Sequence, residues 1–64
     1  MVEGTVKFFN SMKKFGFITG DDGEDYFVHS TGLKEGQSIA EGDRVSFKAV
    51  KGDKGLKAED VEKL

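Results

Sequence analysis

Glycine stands at positions 4, 16, 20, 23, 32, 36, 42, 52 and 55 of a 64-residue chain, and this punctuation limits what the chain can fold into. No interval between glycines sustains a 3.6-residue apolar period over the ten or more residues that a helix needs. The intervals hold alternation instead, so the chain reads as all-β. Five strands follow: GTVKFFN at 4–10, FGFIT at 15–19, DYFVHS at 25–30, RVSFKAVK at 44–51 and LKAEDV at 56–61. GDDGED at 20–25 reads as an acidic hairpin loop, and GDKG at 52–55 is a second hairpin signal. TGLKEGQSIAEGD is too long for a hairpin and reads as a surface loop, with a turn of 3₁₀ helix near Ser30 to Leu33. Five short antiparallel strands with one long connection fit a small Greek-key barrel, whose closure hides strand edges. SH3-like and Sm-like barrels stay open, since five strands alone do not fix topology.

A chain of this length is read as one domain, 1–64. A domain of about 60 residues buries only ~60% of its extended surface. With no cysteine for a disulfide or a zinc cluster, its core must come from apolar side chains alone. Val6, Ile18, Val28, Leu33, Val45, Phe47 and Val61 suffice for that interior. Strand four alternates with Val45, Phe47 and Ala49 toward the core, and in strand three Tyr26 and Val28 share one face while Phe27 and His29 share the other.

The phenylalanines are then surplus. In KKFGFI, at 13–18, a period of two sends Phe15 and Phe17 to one face and Ile18 to the other. Set beside strand three, Phe15, Phe17, Phe27 and His29 share an outward face. Strand one adds Phe8 or Phe9, and a bulge is expected to let both contribute. Exposed rings in a patch mark a binding surface or an aggregation liability. Nucleobases suit them, because each base has a π-face and stacking is worth roughly 1–3 kcal/mol per base. Side chains two apart on a strand are separated by ~6.8 Å, which favours splayed single strands over a duplex. Lys7, Lys13 and Lys14 flank the rings and are placed to follow phosphates. Gly16 is expected to let a nucleotide approach the backbone, and Asn10 and Ser11 either bond to base edges or cap the turn. Neutralising about two to four phosphates gives a slope of log K against log salt of about −1.4 to −2.8.

Other chemistries find little support. There is no Cys nucleophile, no GxxxxGK[ST], no HExxH and no second histidine, so an enzyme, a small-molecule substrate and a cofactor are not expected. DDGED lacks the liganding order of a calcium loop, and nothing around His29 reads as a metal site. No apolar run is long enough for a membrane span or a signal peptide, so a cytoplasmic protein is expected. Ten basic against twelve acidic residues give a formal charge of −2, which favours solubility and a monomer. Two other readings of the rings stay open: core residues of a different barrel, or an interaction module presenting its aromatic face to a protein or proline-rich peptide.

KFFNSMKKFGFI at 7–18 and DYFVHST at 25–31 resemble the cold-shock domain, and the likeness runs from VEGTVKFFN through GLKAEDV. The first segment is similar to that family's ribonucleoprotein motif one, and YFVH to motif two. The resemblance implies an OB-fold barrel that binds single-stranded RNA and DNA. It also implies an RNA chaperone that disfavours weak secondary structure and acts on transcription or translation, especially in the cold. The platform carries over to Phe8, Phe15, Phe17, Phe27 and His29, and its basic neighbours to Lys7 and Lys13. Phe8 stands where the family usually has Trp, Lys14 where Gly is common, Ser30 where many bacterial members have another Phe, Ser38 near another usual ring, and Leu56 at a frequent Pro. Fewer rings imply weaker binding than the full aromatic set gives, with Lys14 offsetting part of the loss. An OB module of the translation-initiation-factor type shares the barrel but fits the KKFGFI and YFVH pairing less well.

Overall fold

The computed structural model describes residues 1–34, 36–52 and 55–64. Its five strands are β1 (Val2–Asn10), β2 (Phe15–Gly20), β3 (Asp25–His29), β4 (Arg44–Gly52) and β5 (Gly55–Lys63), with one 3₁₀ turn at Ser30–Gly32. Asp53 and Lys54, at the centre of the GDKG signal, lie outside the described residues, but β4 and β5 pair antiparallel as far as Gly52 and Gly55. Each strand begins and ends within two residues of where alternation and glycine punctuation place it. Local Cβ geometry is enough to set these spans.

The strands close into a barrel in the order β1-β2-β3-β5-β4. The sequential hairpins and the β1–β4 pair are antiparallel. The long connection after β3 carries the chain to β4 beside β1, which completes the Greek key expected of an OB-type barrel. Closure itself comes from a short parallel contact, Phe27 against Lys57, with a second parallel bridge between Leu33 and Val61.

The core holds Val6, Ile18, Val28, Val45, Phe47 and Val61, each at most 1% exposed. Full burial of an aliphatic or aromatic side chain is worth about 1.5–3 kcal/mol, so these six dominate the stability. Leu33 packs only at the edge of this cluster, whereas Tyr26, Ile39 and Ala58 belong to it. Ala49, expected inside, is exposed. β1 pairs with β4 only as far as Phe47, while β5 stays beside β4 through Ala49 to Gly52, so this end of β4 runs on past β1 as half of a hairpin.

Tyr26 anchors the β2–β3 loop. Its ring meets Phe47 edge-on at 4.8 Å, and its hydroxyl donates to Asp22 Oδ2. Asp22 Oδ1 also accepts from the Glu24 N–H. The hydrogen bond to Asp22 pushes the Tyr26 hydroxyl up to about 12, and the same bond holds the Asp22 carboxyl below its usual range. Arg44 grips Asp21 through two bonds of 2.9 and 2.8 Å, which tie this loop to β4 and lower the Asp21 carboxyl.

Candidate nucleic-acid interface

Strand β1 changes register between Val6 and Phe8, with Lys7 as the extra residue. Strict alternation would send Phe8 inward with Val6. The bulge turns it outward, so Lys7 and Phe8 are both exposed and Phe8 pairs directly with Phe17. On its other edge β1 continues past Arg44 into the long connection: the Val6 N–H donates to the Asp43 carbonyl, and the Val6 carbonyl accepts from the Gly42 N–H.

The bulge does not bring both rings out, as expected, but exchanges them. Phe9 is shifted to the inner side and packs against the core, so the structure does not bring it to the ring face. It pairs with Gly16, which is buried. A Cβ on Gly16 would collide with the Phe8 carbonyl oxygen and stand 2.7 Å from Phe9 Cα. Close approach of β1 therefore requires glycine here.

Cross-strand pairing lines up the outward side chains. Phe8 opposes Phe17, Phe17 opposes Phe27, and Phe27 opposes Lys57, forming a row across β1, β2, β3 and β5. A second row holds Asn10, Phe15 and His29. The rings are in contact along and between rows: Phe8–Phe17 at 5.7 Å, Phe17–Phe27 at 5.7 Å with planes at 74°, and Phe15–Phe27 stacked at 6.0 Å. Such contacts add about 0.5–1.5 kcal/mol each beyond area burial, and they hold the rings in place before any ligand arrives. Phe8 is 39% exposed, and Phe15, Phe17 and Phe27 are half-buried. The row is thus a platform with its outer faces in water, and the structure brings Phe8, Phe15, Phe17, Phe27 and His29 together.

The polar residues take more specific positions. Asn10 Oδ1 accepts from the N–H groups of Met12 and Lys13, each at 3.0 Å, so its side-chain carbonyl caps the β1–β2 turn. Lys13 and Lys14 are exposed on that turn, and Lys14 has a left-handed φ of 61°. The Lys14 N–H donates to Asn10 O at 2.7 Å, and its carbonyl accepts from Ser30 N at 2.9 Å, which ties the turn to the end of β3. Lys7 lies 3.8 Å from Asp25. His29 Nδ1 accepts from the Thr31 N–H at 3.2 Å, so the neutral ring carries its proton on Nε2.

An open groove runs beside the platform along the β3–β5 seam, with Phe17, Phe27, Leu56, Lys57 and Asp25 in its walls. Lys57 had no signal in the sequence, and Leu56 only that of a departure from the family's Pro, because it is the parallel pairing of β3 with β5 that brings this part of β5 beside the rings. Among the described residues, no group of three His, Cys, Asp or Glu side chains is placed to hold a metal ion.

Residues 2–64 match the family described as the 'Cold-shock' DNA-binding domain. The major cold shock protein CspA of Pseudomonas aeruginosa is 52% identical over 64 residues, covering 92% of this chain and 88% of that protein. The cold shock-like protein CspLB of Listeria monocytogenes is 48% identical over 66 residues, with 100% of both chains covered. Glycine-rich protein 2 of Nicotiana sylvestris is 54% identical over 63 residues, which are 92% of this chain but 29% of that longer protein.

Proposed function

This chain belongs to the cold-shock domain family, and from that premise we propose that it binds single-stranded RNA and DNA on the Phe8–Phe17–Phe27 row and its neighbours Phe15 and His29. The observation that carries this reading is the contiguous ring platform, preassembled by cross-strand pairing and exposed to water. Phe8, Phe15, Phe17 and Phe27 stack bases, while Lys7, Lys13 and Lys14 meet phosphates at the rim. Asn10 and Gly16 act indirectly, by setting the turn and the approach of β1. Phe9 supports the platform from below.

Bases held on rings cannot pair, so binding shifts a weak RNA hairpin toward its open form by mass action, without ATP. A long duplex resists, because its pairing energy exceeds what a few stacked bases return. This makes the protein a non-enzymatic RNA chaperone. The closed barrel supports a monomer, and the cytoplasm, where nascent messages are met, is the proposed location.

Fluorescence anisotropy with labelled U-rich and T-rich heptamers and a matched duplex tests this. Single strands are expected to bind more tightly than duplex, and Phe15→Ala/Phe17→Ala, if still folded, to lose binding by roughly 1–3 kcal/mol per base contact. A folded wild type that ignores all single strands at low salt, or a folded double variant that binds as well as wild type, refutes the ring-face reading. A platform that instead captured proline-rich peptides, insensitively to salt, would mark a protein-interaction module.

A further inference from the structure

The row of rings does not stop at Phe27. Its next member is Lys57, directly across the β3–β5 seam. Two grooves flank this point. One lies toward Phe17 and Leu56, the other toward His29 and Gly32, and both are walled by Phe27 and Lys57 together. The lysine therefore borders both grooves beside Phe27. Its aliphatic stem runs close over Gly52, where a Cβ would lie 3.5 Å from Lys57 Cδ and 3.8 Å from Cε. The stem is thus laid down on β4 while the side chain stays 45% exposed, and the ammonium is paired at 3.3 Å with Glu59, two residues along β5.

Resting on the ring-face reading, we infer that Lys57 is a further phosphate-binding residue, which carries the nucleic-acid interface across the β3–β5 seam onto β5. Glu59 acts as a resident competitor. An incoming phosphate must take the ammonium from its carboxylate, so Glu59 lowers affinity at rest and recaptures Lys57 on release. The other rim lysines, 7, 13 and 14, lie on β1 or the β1–β2 turn. Lys57 stands at the opposite end of the ring row, and a strand lying along the row meets cations on both sides.

Lys57→Met tests the assignment, because it removes the charge and keeps a stem of similar length. With a single-stranded heptamer at low salt, it is expected to weaken binding about threefold to tenfold and to flatten the salt slope by about 0.7, the loss of one phosphate contact. Lys57→Arg should restore the slope. Glu59→Gln should tighten binding about twofold to fivefold, the size of one removed charge near a phosphate in water, and the gain should shrink in the Lys57→Met background. A purely structural Lys57 would move the urea midpoint and leave the slope alone. Equal affinity and slope for folded wild type and folded Lys57→Met, both binding single strands, overturn the assignment while leaving the ring-face reading intact. Failure of the wild type to bind any single strand overturns both, so the wild-type titration tells the two failures apart.

Discussion

Lys14 holds a φ of 61°, a region that places Cβ too near the following carbonyl and costs a non-glycine residue about 1–2 kcal/mol. Lys14→Gly removes that cost. The added glycine also frees the unfolded chain, which takes back about 0.4–1 kcal/mol. The net expectation is a stabilisation of about 0.5–1 kcal/mol, or roughly 2–8 °C in Tm for a domain of this size. The two backbone bonds that fix the turn, from Lys14 N to Asn10 O and from Ser30 N to Lys14 O, need no side chain and survive the change. The same substitution removes a cation beside Phe15, so the salt slope of single-strand binding should fall by about 0.7. Thermal and urea unfolding followed by circular dichroism read the first effect, and anisotropy titrations at several salt concentrations read the second. Lys14→Ala separates them: it keeps the left-handed strain and loses the charge, so it should match Lys14→Gly in binding but not in stability. A Lys14→Gly protein no more stable than Lys14→Ala would refute the strain argument. An unchanged affinity and slope in both would refute a role for Lys14 at the phosphates.

Gly16→Ala should destabilise the fold by more than about 2 kcal/mol, since its Cβ meets two backbone atoms of β1 that cannot move aside without breaking the ladder; a urea midpoint within error of wild type would disprove the close-approach account. The Asp22–Tyr26 hydrogen bond should give stability a pH dependence at both ends. The Asp22 carboxyl is lowered below 3.8, so its contribution is present above that value and lost as the pH falls through the folded value; Asp22→Asn should flatten this acid limb. Tyr26 is raised from 10.0 to about 12, so its contribution is complete below pH 10 and disappears as the pH rises from 10 to 12; Tyr26→Phe should remove the alkaline decline, and an identical alkaline limb in the variant would show that the hydroxyl is not the titrating group.

The features legible in the chain alone are local ones. Glycine spacing and alternation were enough for the five strands, for the pairing of Phe15 with Phe17 on one face, and for most of the core, because the pleat fixes which way successive side chains point. The cold-shock motifs in 7–18 and 25–31 led to the same ring surface. The remaining features depend on which strand lies beside which. The bulge at Lys7 put Phe8 outside and Phe9 inside, a choice that the identical side chains could not reveal and that a register shift against β2 makes. Ala49 alternates inward yet is exposed, at the end of β4 that runs on past its pairing with β1 beside β5. Gly16 is needed by its neighbour strand, which the sequence alone does not place beside it. Lys57 reaches the rings only through the parallel closure between β3 and β5, thirty residues apart in the chain. Direction along a strand is set by covalent geometry, but burial and partnership are set by distant residues, and these become readable only once the barrel has closed.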